Sequence, residues 1–182
     1  DPMCGSGTLP IEAALIAKNV PPGRFRKQYA FMNWNDFDNS LFEKIKTETR
    51  FKEFSKKIYA SDISKQNVLF AEMNARRARV YPAITFQTAD MKNLEIKSNN
   101  ATLILNPPYG ERLRLDAMEE LYSMIGERLK HNFPGNNAWV LSSSKENMKK
   151  IGLKANQKNE LFNGCLQCTF AKYQLFSGRM KK

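Results

Sequence analysis

Two short stretches carry the residues whose types and spacing could do chemistry. The first is Asp1-Pro2-Met3-Cys4-Gly5-Ser6-Gly7-Thr8, where two glycines flank one small residue and Thr8-Leu9-Pro10-Ile11-Glu12-Ala13-Ala14-Leu15 follows at helical spacing. That pattern is a strand handing over to a helix through a turn bare enough for a ligand to lie against its backbone. A P-loop would need Gly-Lys-Ser/Thr here, and the third glycine of a dinucleotide turn falls on Pro10, so a pyrophosphate ligand is disfavoured. The second stretch is Asn106-Pro107-Pro108-Tyr109. Residues 101–105 before it read as a buried strand, which two prolines stop abruptly. A carboxamide and a phenol are thereby set at the carboxyl end of a strand, where open α/β sheets bind their ligands.

The elements between the motifs supply the sheet that must position them. Thr8 to Lys18 reads as a helix that tolerates Pro10 in its first turn, and Asn19-Val20-Pro21-Pro22-Gly23 ends it. Residues 24–38 form an aromatic and basic loop with Phe25, Tyr29, Phe31, Trp34 and Phe37, and a helical pattern resumes over 39–54. This insertion is far longer than a strand-helix-strand unit requires. Its aromatics read as core and loop anchors ahead of base-stacking platforms.

Residues 57–62 are a short strand ending in Asp62, and Ser64 caps a helix running to about Arg79. Residues 82–90 give another strand ending in an acid, Asp90. Met118, Leu121, Tyr122, Ile125, Leu129 and Phe133 make a helical stripe, residues 138–143 a further strand, and Asn163-Gly164 the turn of a hairpin. The expected fold is α/β: a Rossmann-like, mostly parallel sheet flanked by helices and closed by a C-terminal antiparallel β-hairpin, in one domain over 1–182.

Lysine and arginine exceed aspartate and glutamate by 29 − 18 = 11, which points to an anionic partner such as nucleic acid. No apolar run is long enough to span a bilayer and no signal-peptide pattern occurs, so a cytoplasmic protein is expected. Metal chemistry is not expected. Cys165 and Cys168 form a lone C-x-x-C whose thiols would face opposite sides of a strand, and His131 is the only histidine. Cys4 reads as a small packing residue, with no histidine near it in sequence to act as a base.

The string Asp1-Pro-Met-Cys-Gly-Ser-Gly-Thr, followed by Asn106-Pro-Pro-Tyr, resembles class I S-adenosylmethionine-dependent methyltransferases that modify exocyclic amines. The longer strings Asp1-Pro-Met-Cys-Gly-Ser-Gly-Thr-Leu-Pro-Ile-Glu-Ala-Ala and Asn106-Pro-Pro-Tyr-Gly-Glu-Arg-Leu resemble one branch more closely. That branch is the THUMP-containing bacterial 23S rRNA guanine-N2 methyltransferases. The likeness covers essentially the whole chain, including Phe31-Met-Asn-Trp34 and the terminal hairpin.

The resemblance implies S-adenosylmethionine as cofactor, held by Asp1, Pro2, Cys4, Gly5, Gly7, Thr8, Asp62, Ile63, Asp90 and Met91. Asp62 would accept from the ribose hydroxyls, and Asp90 from the adenine amine. For Asp62 the residues alone allow a solvated turn acid or a partner of the helix dipole. Asn106, Pro107, Pro108 and Tyr109 would be catalytic: the Asn106 side-chain and Pro107 backbone carbonyls accept from the target amine, and Tyr109 stacks on a flipped-out base. Arg112 and Arg114 would meet RNA phosphates or simply be solvated, and Arg24, Arg26 and Lys27 could touch RNA as well.

Family members place apolar residues of a central strand just before this Asp-Pro. The chain is therefore expected to be the C-terminal part of a longer polypeptide, with an RNA-binding THUMP domain upstream and its central strand supplied from outside residues 1–182. Adenine-N6 transfer, glutamine-N5 transfer on a protein and a non-catalytic RNA-binding module that kept the fold are the competing readings, with a nicotinamide oxidoreductase behind them. The basic charge argues against the protein substrate.

Overall fold

The structure is a computed structural model, and it describes residues 1–48, 50–95, 100–108 and 114–176. In chain order the elements are α1 (Thr8–Ala17), α2 (Asn39–Glu48), β1 (Ile58–Asp62), α3 (Lys65–Arg77), β2 (Ile84–Thr88), β3 (Thr102–Leu105), α4 (Leu115–Asn132), β4 (Asn137–Ser142), α5 (Lys145–Lys150), β5 (Gln157–Asn163) and β6 (Leu166–Gln174). β1 and β2 pair in parallel, as do β3 and β4, whereas β6 runs antiparallel between β4 and β5. The described strands therefore form two pieces, β1-β2 and β3-β4-β6-β5.

Between the pieces lies the opening segment of the chain. The Asp1 amine donates to the Tyr59 carbonyl at 2.8 Å and the Asp1 carbonyl accepts from the Ser61 amide at 2.8 Å, which is the pattern of a parallel ladder on the free edge of β1. Cys4 N then donates to the Ser61 carbonyl at 2.9 Å. On the far side of this opening, β3 pairs with β4 alone among the described strands. Met3 packs against the core that contains Leu103 and Leu105, so the opening segment touches both pieces.

Each piece has its own core. Under β3, β4 and β6, the stripe Tyr122, Ile125 and Leu129 of α4 meets Leu105, Val140 and Ala171, all fully buried, and each large apolar side chain contributes roughly 1.5–3 kcal/mol by leaving water. Tyr122 carries a polar tip into that core, and its hydroxyl bonds the Ser142 hydroxyl at 2.8 Å. Under β1 and β2, small residues let α1 and α3 lie close, with Ala14, Ala71 and Ala75 fully buried.

Three boundaries differ from the sequence expectation, each for a local reason. α2 stops at Glu48, because the chain must turn back so that the Lys52 amide can donate to the Lys18 carbonyl and Phe54 can pack under β1. α3 stops at Arg77 with the left-handed turn residue being Arg79, φ 58°, where a glycine would have announced the end. α5 is a short helix that apolar spacing does not announce, and it starts where Ser144 accepts from the Asn147 amide. No helix among the described residues is long and apolar enough to cross a membrane.

Candidate active site

Asp62 ends β1 and holds the glycine turn in place. One carboxylate oxygen accepts from the Gly5 amide at 2.9 Å, and the other from the Ser64 amide at 2.9 Å and the Asn67 side-chain amide at 3.1 Å. Ser64 in turn caps α3 by accepting from the Asn67 amide. One acid thus fastens together the end of β1, the start of α3 and the turn before α1.

The two glycines of the turn do different work. At Gly5, φ 54°, a Cβ would meet nothing within 4 Å, and the residue faces open space. At Gly7, φ 89°, a Cβ would stand 2.8 Å from the Ala71 Cβ, and its amide already donates to the Cys4 carbonyl at 2.8 Å. Gly7 does not line the cavity described below. Its bareness lets α1 start against α3.

Asp1, Pro2, Cys4, Gly5, Thr8, Asp62, Ile63, Asp90, Met91, Asn106 and Pro108 come together around one cavity of about 620 Å³. Both sequence motifs therefore border the same cleft. Pro107 is fully buried behind it. Asp90 accepts from the Lys92 amide at 2.8 Å and so starts the short turn Met91–Asn93. Arg114 is exposed and precedes α4, outside the cavity lining. Tyr109 and Arg112 lie outside the described residues.

Asn67, Leu121 and Met124 also line the cavity, and sequence reasoning does not single them out as site residues. They sit on α3 and α4, where Leu121 reads as part of a core stripe. Nothing in helical spacing distinguishes a stripe residue that faces a cleft from one that faces a sheet.

The cavity's electrostatics oppose those of the molecule. Its described lining contains three carboxylates, Asp1, Asp62 and Asp90, and no lysine, arginine or histidine, on a chain of net charge +11. Two of its oxygens are buried with no donor among the described residues: Asn106 Oδ1 and Asp1 Oδ2. An unpaired buried acceptor costs about 1–3 kcal/mol, so both are poised for donors that a ligand would bring. Burial, with a smaller push from the Asp62 charge, raises the Cys4 thiol to about 11. Cys4 therefore stays a neutral thiol and is not a nucleophile at physiological pH. No group of histidine, cysteine and acidic side chains suited to a metal ion occurs among the described residues.

Helices packed on the parallel pairs β1-β2 and β3-β4, an antiparallel hairpin at one edge, and a glycine turn facing a strand exit make this a class I methyltransferase fold. Similar solved structures agree. One, designated SMU.472, described as a methyltransferase and complexed with SAH, is 30% identical with a TM-score of 0.85, over 100% of this chain and 48% of that one. Another, from Listeria monocytogenes and described as a predicted N6-adenine-specific DNA methylase, is 28% identical with a TM-score of 0.76, over 95% of this chain and 45% of that one. The model of the RMKL-like methyltransferase domain family matches residues 1–172, and the chain belongs to that family. The ribosomal RNA large subunit methyltransferase K/L of Shewanella sp. (strain W3-18-1) is 36% identical over an alignment of 189 positions, gaps included, that covers 100% of this chain. The chain spans 27% of that relative's length.

Proposed function

We propose that the protein transfers a methyl group from S-adenosylmethionine to the exocyclic N2 amine of a guanine in 23S rRNA. The observation that carries the reading is Asn106 Oδ1, buried without a donor among the described residues on the wall of the cavity it shares with Gly5. The cofactor fits the lining: three acids and no lysine, arginine or histidine suit a positively charged ligand, and Asp1 Oδ2 has an acceptor to offer. Gly5 leaves room for close approach, and Thr8 and Leu9 bring first-turn amides that have no intrahelical acceptor. When bound, S-adenosylmethionine supplies a methyl group made electrophilic by its positive sulfur.

An exocyclic amine is a poor nucleophile because its lone pair is delocalised into the ring. Asn106 Oδ1 and the Pro107 carbonyl accept its two hydrogens, localise that pair and aim it. The same oxygens stabilise the positive charge that builds on nitrogen as the bond from methyl to sulfur breaks; S-adenosylhomocysteine leaves with the electron pair, and the methylated nitrogen then loses one proton to water. Tyr109 stacks on the flipped base, and Arg112 and Arg114 meet phosphates near it. The anionic partner implied by the net charge is the RNA itself, in the cytoplasm.

The break between β1 and β3 belongs to the same proposal. A strand supplied by residues upstream of Asp1 fills it, and a THUMP domain further upstream binds the RNA. The second reading, adenine-N6 transfer, is favoured by the description of the Listeria monocytogenes structure. Mass spectrometry of nucleosides from unmethylated rRNA treated with the full-length polypeptide separates the two. N2-methylguanosine is the expected product, and N6-methyladenosine in its place overturns the assignment.

A further inference from the structure

The insertion between α1 and β1 builds a second cavity of its own. No residue of α2 or of the 3-10 turn Ala30–Asn33 is buried, although Leu41 and Ile45 share a face of α2. Instead the rings of Tyr29, Phe31, Phe37 and Phe42 pack on one another with centroids 5.0 to 5.9 Å apart. Of the aromatics expected as core and loop anchors, Tyr29, Phe31 and Phe37 join that block without being fully buried, whereas Phe25 and Trp34 are exposed. A cavity of about 290 Å³ opens against it, and Arg24, Arg26, Lys27 and Lys46 stand around the mouth. The acid there, Glu43, is held by Lys46 at 2.9 Å, and Arg24, Arg26 and Lys27 make no ion pair with a described residue.

Three cations without an ion pair among the described residues, of which Arg24 lies over the Phe51 ring at 5.3 Å, stand beside flat apolar rings and match an anion joined to a planar apolar group. We propose that this cavity binds an unpaired nucleotide of the RNA substrate, its phosphate on Arg24, Arg26 and Lys27 and its base against the aromatic wall. The inference rests on RNA being the substrate. The volume, near the lower end of the roughly 300–1,000 Å³ usual for small-ligand sites, admits one nucleotide and not a duplex. Its place is at the other end of α1 from the first cavity: Thr8 lines one, Pro21 and Pro22 the other. At 1.5 Å per residue the helix between them is about 15 Å long. An RNA contact that far from the reacting base sets which nucleotide is presented, and touches none of the reacting atoms.

The test is binding of a fluorescein-labelled single-stranded RNA decamer to the full-length polypeptide, followed by anisotropy across a salt series. Replacing the three cations together (R24Q, R26Q, K27Q) is compared with a charge-matched control on exposed lysines of another face (K145Q, K149Q, K154Q). The first variant is expected to weaken binding about tenfold and to flatten the slope of log K against log salt by about 0.7 for each phosphate that is no longer neutralised. The control is expected to change affinity less than twofold. Equal losses in both variants, or none in the first, overturn the proposal. Methyl transfer by the unaltered protein is scored separately. Transfer to RNA with an unaltered slope in the first variant removes this site and keeps the enzyme. Pocket-dependent binding with no transfer to any RNA keeps the site and removes the enzyme.

Discussion

At the scale of the residue, the two glycines of the opening turn meet different surroundings, the cavity at Gly5 and Ala71 at Gly7. An alanine at Gly5 meets open space and bears only the left-handed backbone penalty, about 1–2 kcal/mol, but its methyl enters the cavity. Gly5→Ala is expected to raise the Kd for S-adenosylmethionine at least tenfold in calorimetry with a small loss of stability. Gly7→Ala combines the same penalty with a clash on Ala71 and is expected to cost about 2–5 kcal/mol in urea unfolding. If the two variants exchange these phenotypes, the division of labour is wrong. On the proposed mechanism Asn106→Ala removes an acceptor used chiefly while charge develops, so kcat should fall about 10²–10³-fold with cofactor affinity within twofold. A comparable loss in cofactor affinity would make Asn106 a binding residue instead.

Cys4 gives a prediction in pH. Its thiol stands at about 11 against an ordinary value of 9.0, because burial and the Asp62 charge disfavour the thiolate. The folded protein therefore binds more protons than the unfolded chain between those values, so the stability gained from burying the neutral thiol is complete below pH 9 and lost as pH rises toward 11. Iodoacetamide at pH 8 should label exposed Cys165 and leave Cys4 and Cys168 unlabelled until the protein unfolds. Labelling of Cys4 as fast as Cys165 would contradict the buried, neutral thiol.

At the scale of the element, the sequence was legible wherever a rule of spacing or capping acts locally. Ser64 before an apolar run marked α3, Asn163-Gly164 marked the β5-β6 turn, and the two prolines after Leu105 marked the end of β3. What stayed hidden depends on which neighbour an element meets. Leu121 of the α4 stripe faces the cleft and Ile125 the sheet, yet the spacing is the same. Gly126 is a further case. It reads as a weak point in a helix, but a Cβ there would lie 1.9 Å from the Ile151 carbonyl oxygen, so α4 and α5 touch backbone to backbone. Gly126→Ala should gain the roughly 1 kcal/mol of helix propensity and still lose about 3 kcal/mol or more overall as α5 is pushed away. Thermal unfolding decides it, and a stabilised variant would mean that α5 does not rest where the structure puts it.

At the scale of the whole molecule, the division of the sheet is the feature with the largest energetic consequence. Asp1 pairs with Tyr59 and Ser61 as the last residue of a strand would, while the facing edge of β3 has no strand partner among the described residues. Unpaired strand edges in the middle of a molecule are costly, and each backbone hydrogen bond restored is worth about 0.5–1.5 kcal/mol. A five-residue strand laid between β1 and β3 would thus add about 3–7 kcal/mol in hydrogen bonds alone, before apolar burial and the entropy of ordering it are counted. Because about 1 kcal/mol moves Tm by 2–4 °C at this size, a polypeptide that carries the proposed strand should melt on the order of 10 °C above residues 1–182 alone. Hydrogen exchange localises the gain: slow amides at β1 and β3 in the longer chain, fast ones at β3 in the shorter. Equal protection of β3 in both would show that no strand enters the break. Asp1 Oδ2 and Asn106 Oδ1 would then need another account of how they are held across the cleft.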